Sequence, residues 1–91
     1  MELKRSASAG TLESSDILVT VSPGGEGVQI DLNSSVEHYY GDSIRRTLRE
    51  ALRELGVENA AVQAVDHGAL DCTIRARVTT AVKRASGEEK V

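Results

Sequence analysis

The chain has 91 residues, a formal net charge of −3 and only 2% aromatic content, with no Phe and no Trp. That length suits one domain with a thin aliphatic core. The acid excess argues against nucleic acid as the main ligand, because phosphate contacts need a basic footprint.

The charge is uneven. Residues 1–33 hold two basic and five acidic side chains, whereas residues 34–91 hold nine of each. The single Cys72 excludes an internal disulfide and a multi-cysteine metal site, and fits a reducing compartment. There is no apolar run of membrane-spanning length and no apolar signal-peptide core after Met1. A cytoplasmic location is expected.

In chain order, residues 1–9 lack sustained periodicity and read as a flexible arm, able to act as an edge strand once docked. Gly10-Thr11-Leu12-Glu13-Ser14-Ser15-Asp16 follows, short, polar and bracketed by carboxylates. Ser14 reads either as an exposed covalent attachment point or as ordinary turn chemistry. Asp16–Ser22 is a strand by its β-branched content. Ser22–Gly27 is a loop, and Val28, Ile30 and Leu32 alternate with polar residues as a second strand. The two strands are expected to pair as an antiparallel hairpin.

Ser34-Ser35-Val36-Glu37 has the form of a capping box for a short turn through Tyr40, and Asp42 offers a second N-cap. The main helix is expected over 43–55, with Ile44, Leu48, Ala51, Leu52 and Leu55 on one stripe. Gly56 and Val57 suit a Schellman stop. Residues 60–65 read as a third strand. The segment from Leu70 to Val78 alternates strictly, but Ile74, Val78, Ala81, Val82 and Ala85 also form a helical stripe. The expectation is a strand near 69–76 passing into a helix near 77–86, with a disordered tail over 86–91. The fold class is α+β: a single domain over 1–91, with a small antiparallel sheet that starts with a hairpin. One main helix packs it, and a strand-helix segment ends the chain.

Catalytic constellations are thin. A hydrolase needs a nucleophile with an oriented base. His38 and His67 both read as surface residues. There is no Gly-x-Ser-x-Gly elbow, phosphate-cradling loop or His-Glu-x-x-His helix. Gly24, Gly25 and Gly27 lead from strand to strand, so they form a hairpin loop. Cys72 falls on the apolar side of its segment and reads as a small core residue. Arg75 and Arg77 share the polar side, either as a solvated face or as a small anion dock. Of Tyr39 and Tyr40, one reads as core or interface filler, and two rings make no stacking platform.

Three blocks carry a resemblance: Ala9 through Asp16, Ser34-Ser35-Val36-Glu37 with Gly41-Asp42, and Asp66 through Arg77. In order and spacing the chain resembles the acyl carrier (gamma) subunits of bacterial citrate lyase, over nearly its whole length. Ser15 departs from the family pattern, in which Gly often follows the modified serine.

The resemblance implies that Ser14 carries 2'-(5''-phosphoribosyl)-3'-dephospho-CoA through a phosphodiester, installed by holo-citrate lyase synthase. It implies an acetyl or citryl thioester on the terminal thiol. The partners would be an alpha subunit, which exchanges acetyl for citryl, and a beta subunit, which releases oxaloacetate. The chain would then be a non-catalytic carrier, with Ser14 as the cofactor-attachment residue. Arg75 and Arg77 would be candidates for holding partners or the group's phosphates. A scaffold that joins enzyme subunits without carrying a group is the alternative.

Overall fold

Alternation over Ile17–Pro23 buries Ile17, Val19 and Val21 and leaves Leu18, Thr20 and Ser22 half-buried. That pattern marks a strand with one face on the core. The computed structural model describes residues 1–87 and contains six elements. They are β1 (Ala7–Gly10), β2 (Ile17–Pro23), β3 (Val28–Ser34), α1 (Glu37–Glu54), β4 (Ala60–Asp66) and α2 (Asp71–Ser86). The α+β class holds. The strands form one sheet in the order β1-β2-β4-β3.

The sheet is mixed rather than antiparallel. β1 and β4 both run antiparallel to β2, and β3 runs parallel to β4. The expected pairing of β2 with β3 does not form. β4 lies between them, pairing Val62 with Val21 on one side and Ile30 on the other. Parallel neighbours need a long crossover, and α1 supplies it between β3 and β4. The hairpin that does form is β1–β2, closed by residues 11–16.

Gly24 explains how the β2–β3 loop spans the intervening strand. A Cβ there would lie 2.7 Å from the Ala60 carbonyl carbon. Only glycine lets the loop cross so close to the start of β4. The Asn59 side chain then accepts a hydrogen bond from the Gly27 N–H at 2.8 Å.

Both helices cover one face of the sheet, α2 over β1 and β2 and α1 beside β3. Their apolar stripes meet in a core that includes Leu48, Leu52, Ile74, Val78 and Val82, all fully buried. The residues expected as a flexible arm are docked: Leu3 is buried, Lys4 and Arg5 donate backbone bonds to the Ala85 carbonyl, and Ala7 opens β1.

α1 is one continuous helix that includes Tyr39–Asp42, so the second N-cap at Asp42 is not used. It stops as expected, with the Val57 N–H donating to the Leu52 carbonyl at 2.9 Å and Val57 buried. The segment expected as a strand over 69–76 is helical from Asp71. Of its two competing periodicities the helical one wins, because Ile74, Val78, Ala81, Val82 and Ala85 all find the core. Cys72 is consequently exposed rather than buried. Ser86 ends α2, and residues 88–91 of the expected tail lie outside the described residues.

Candidate functional site

The Ser14 loop begins where β1 stops. Gly10 has φ +106°, a conformation open to glycine, and it turns the chain away from β2. Within the loop, the Thr11 hydroxyl accepts a bond from the Glu13 N–H at 3.2 Å and donates to Asp16 Oδ2 at 2.6 Å. The Asp16 N–H donates to the Glu13 carbonyl. These local bonds close a compact turn with Ser14 at its tip.

The base of the loop is tied to the rest of the protein. The Ser15 N–H donates to the His67 carbonyl at 2.8 Å, and the His67 N–H donates to the Asp16 carbonyl at 2.9 Å. These bonds extend the β2–β4 ladder past its last pair, Ile17 with Asp66. Arg77, from the second turn of α2, closes the arrangement. Its Nε donates to Asp16 Oδ1 at 3.1 Å and its Nη2 to Oδ2 at 2.9 Å. A fork of this kind fixes orientation as well as charge. Hydrogen bonds from Arg77, then from Thr11 and the Ile17 N–H, hold the Asp16 carboxyl well below the usual carboxylate range.

Base and tip therefore differ. Asp16 is buried, whereas Ser14 and Ser15 are exposed. The Ser14 hydroxyl has no hydrogen-bond partner among the described residues, so no internal base activates it. His38 packs edge-on against Tyr39 on α1, with ring centroids 5.0 Å apart. His67 serves the loop through its backbone. The arrangement presents a hydroxyl to an external reagent.

Asp66, which the sequence reading did not single out as a site residue, organises the neighbouring loops. It is fully buried. Its Oδ2 accepts from the Ser34 hydroxyl at 2.8 Å and the Gly68 N–H at 3.0 Å, and its Oδ1 accepts from the Ala69 N–H at 3.0 Å. The Ser34 hydroxyl, expected to cap a short turn through Tyr40, donates to Asp66 while accepting from the Val36 N–H at 3.1 Å. Asp66-His67-Gly68 is an Asx-turn signature, so half of this role was visible in the residues. The partnership with Ser34 was not.

Arg75 and Arg77 do not share a face. On a helix, residues two apart point away from each other, unlike on the expected strand. Arg75 reaches Glu54 at 3.2 Å and Glu50 at 3.6 Å on α1, while Arg77 is engaged with Asp16.

Fold and loop together define a presenting domain: a two-layer α+β scaffold that holds out two adjacent unengaged hydroxyls, Ser14 and Ser15, on a firmly anchored loop. A family model described as "ACP: Malonate decarboxylase delta subunit (MdcD)" matches residues 4–85. The chain is 55% identical to the citrate lyase acyl carrier protein of Streptococcus uberis, covering 96% of this chain and 86% of the relative. Identity is 58% with the citrate lyase acyl carrier protein of Lacticaseibacillus casei, over 94% and 85%. It is 47% with that of Halothermothrix orenii, over 100% and 98%.

The chain belongs to the citrate lyase acyl carrier protein family, and its role is that of an acyl carrier. Among solved structures it resembles a chain in the crystal structure of a Pseudomonas malonate decarboxylase hetero-tetramer in complex with malonate. The TM-score is 0.74 at 25% identity, over 90% of this chain and 84% of that one. No helix among the described residues is long and apolar enough to cross a membrane.

Proposed function

We propose that Ser14 is the attachment point of 2'-(5''-phosphoribosyl)-3'-dephospho-CoA, joined through a phosphodiester, and that the chain is the non-catalytic carrier subunit of a citrate lyase. The observation that carries this reading is the unengaged, exposed Ser14 hydroxyl on a loop whose base is clamped by Arg77 and by His67. The residues fit such a group. The attachment atom is free, and the scaffold behind it does not need to move for the hydroxyl to be reached. When bound, the group supplies a terminal thiol that holds acetyl or citryl as a thioester.

The chain's own part is presentation. A loading enzyme, holo-citrate lyase synthase, supplies the base that Ser14 lacks. The alpha and beta subunits then meet the loaded carrier in turn. Glu13, exposed beside Ser14, disfavours contact between an anionic group and the loop. Arg77 serves the attachment site by fixing Asp16, two residues from Ser14. Arg75 remains a candidate contact for a partner or a phosphate, since its side chain is 38% exposed between Glu50 and Glu54.

Intact mass after incubation with the synthase and the activated group tests the reading. The parent chain gains one group, and Ser14→Ala gains none while melting at an unchanged temperature. A parent chain that gains no mass would return the scaffold alternative. Peptide mapping that puts the added mass on Ser15 would move the site.

A further inference from the structure

Tyr40 on α1 is 59% exposed, and Leu70 at the start of α2 is 69% exposed. Single exposed apolar side chains are ordinary. These two stand on one open groove of about 760 Å3 between the N-terminal ends of α1 and α2, which Val36, Ile44 and Ala69 also line. Small-molecule sites have volumes of roughly 300–1,000 Å3 and are mostly apolar, with a few polar groups that fix orientation. The polar side chains here are those of Ser43, Asp71 and Cys72.

One short stretch of chain both anchors the Ser14 loop and walls the groove. His67 exchanges backbone hydrogen bonds with Ser15 and Asp16. Gly68 and Ala69, the next two residues, belong to the groove wall. Buried Asp66 accepts from both of their N–H groups at 3.0 Å, so the wall is firm. The Ser15 nitrogen lies 2.8 Å from the His67 carbonyl oxygen. That contact puts the Gly68 backbone about 10 Å or less from the Ser14 backbone. A nucleotide-based group carried on Ser14 starts beside the groove, and its length far exceeds the gap.

Charge decides which part of such a group the groove takes. Asp71 is the one charged side chain among the described residues that line it, so no lining cation is there to receive a phosphate. The far end of the group is different in kind. It is an uncharged arm with amide groups, and it closes on the thioester. Its amide N–H groups suit the Asp71 carboxylate and the Ser43 hydroxyl, and its carbon atoms suit Tyr40, Ile44 and Leu70.

We propose that this groove is a seat for the uncharged acyl-thioester end of the group carried on Ser14. The proposal rests on the carrier reading above. Seating covers Tyr40 and Leu70 and keeps the thioester out of bulk water between visits to an enzyme. An acyl group that bears a carboxylate is repelled by Asp71 and seats less well.

The test uses the whole chain, loaded by the synthase and acetylated on the terminal thiol, with intact mass confirming both steps. A parent chain that gains no mass overturns the carrier reading, and this proposal with it. Once the arm is acetylated, Cys72 is the one free thiol, and its alkylation by iodoacetamide reports on the groove. Cys72 should react about threefold more slowly than in the unloaded chain, because only the open population reacts. Succinyl in place of acetyl should protect it less. Tyr40→Ala and Leu70→Ser, each loaded and acetylated, should regain the unloaded rate. Both positions are exposed, and thermal melts report whether the variants are folded. Amide shifts on loading should reach Ser43 and Ile44 on the α1 wall, which make no hydrogen bond to the Ser14 loop.

The proposal is overturned if a chain of confirmed loading and acetylation alkylates at the unloaded rate, with shifts confined to the Ser14 loop and His67. It is also overturned if succinyl protects as well as acetyl, or if both variants stay protected. Protection that rises with chain concentration would assign the groove to a second copy and overturn it. Protection of Cys72 in Ser14→Ala by added alpha subunit, with none from the arm, would assign the groove to a partner and overturn it.

Discussion

Asp16 and Ser15 carry opposite burdens at the Ser14 loop. Asp16 is stabilised as an anion in the folded protein, with its carboxyl held low chiefly by Arg77. On acidification the unfolded chain, with an ordinary carboxyl value of about 4, takes up the proton first. The stability contributed by ionised Asp16 is therefore fully present above that value and is lost as pH falls from there toward the lowered folded value. Asp16→Asn and Arg77→Gln should both be less stable than the parent at neutral pH. The gap in urea midpoint should narrow on acidification to about pH 2–3. An unchanged gap at both pH values would show that the fork contributes no pH-linked stability.

Ser15 has φ +63°, a left-handed conformation that is uncommon for a residue with a Cβ. Its N–H must adopt that geometry to reach the His67 carbonyl. A β-branched side chain tolerates it worst, so Ser15→Val should cost about 1–2 kcal/mol in chemical denaturation. Ser15→Gly should cost nothing or stabilise slightly, because relief of the strain offsets glycine's greater unfolded entropy. The structure thus gives a physical reason for the glycine that the resemblance expects after Ser14. The polar, exposed character of the loop was legible in the residues themselves. The clamp beneath it was not, because Arg77 is 61 positions from Asp16.

At the scale of elements, the β1–β2 hairpin depends on one position. A Cβ on Gly10 would lie 1.8 Å from the Ile17 carbonyl oxygen, at a φ that already disfavours it. Gly10→Ala should destabilise the chain by about 3 kcal/mol or more, since steric overlap adds to backbone strain. It should also loosen the Ser14 loop, read as faster amide exchange at Ser15 and Asp16 than in the parent under native conditions. A variant with parental stability would mean that the hairpin can shift its register without loss. α1 was legible in its apolar stripe and its stop. Its start differs from the expected 43 because the helix runs on from Glu37 through Gly41 and Asp42, so neither the glycine nor the Asp42 cap marks its beginning.

For the whole molecule, stability rests on a thin aliphatic core shared by two helices and one sheet face. A domain of this size holds about 5–13 kcal/mol of net stability. Leu48 is fully buried within that core. Leu48→Ala should cost about 3 kcal/mol, combining lost transfer energy with an unfilled cavity. At about 4–8 °C per kcal/mol for a domain this small, the melting temperature should fall by about 12–24 °C. A fall of only a few degrees would show that the core collapses around the gap.

Local pattern by itself determined the strand character of β2 and β3, the buried stripe and stop of α1, and the exposed polar loop at Ser14. Each of these is set within a few residues, by side-chain alternation, helical spacing or turn chemistry. The tertiary structure decided the rest. It inserted β4 between β2 and β3, although the order strand-helix-strand from β3 through α1 to β4 was already the pattern of a parallel crossover. It resolved residues 71–78 as helix by giving Ile74 and Val78 a core to enter. It also brought Arg77 to Asp16 and Ser34 to Asp66. Strand pairing and ion pairing join positions far apart in the chain, and their energies exist only once the whole sheet has closed.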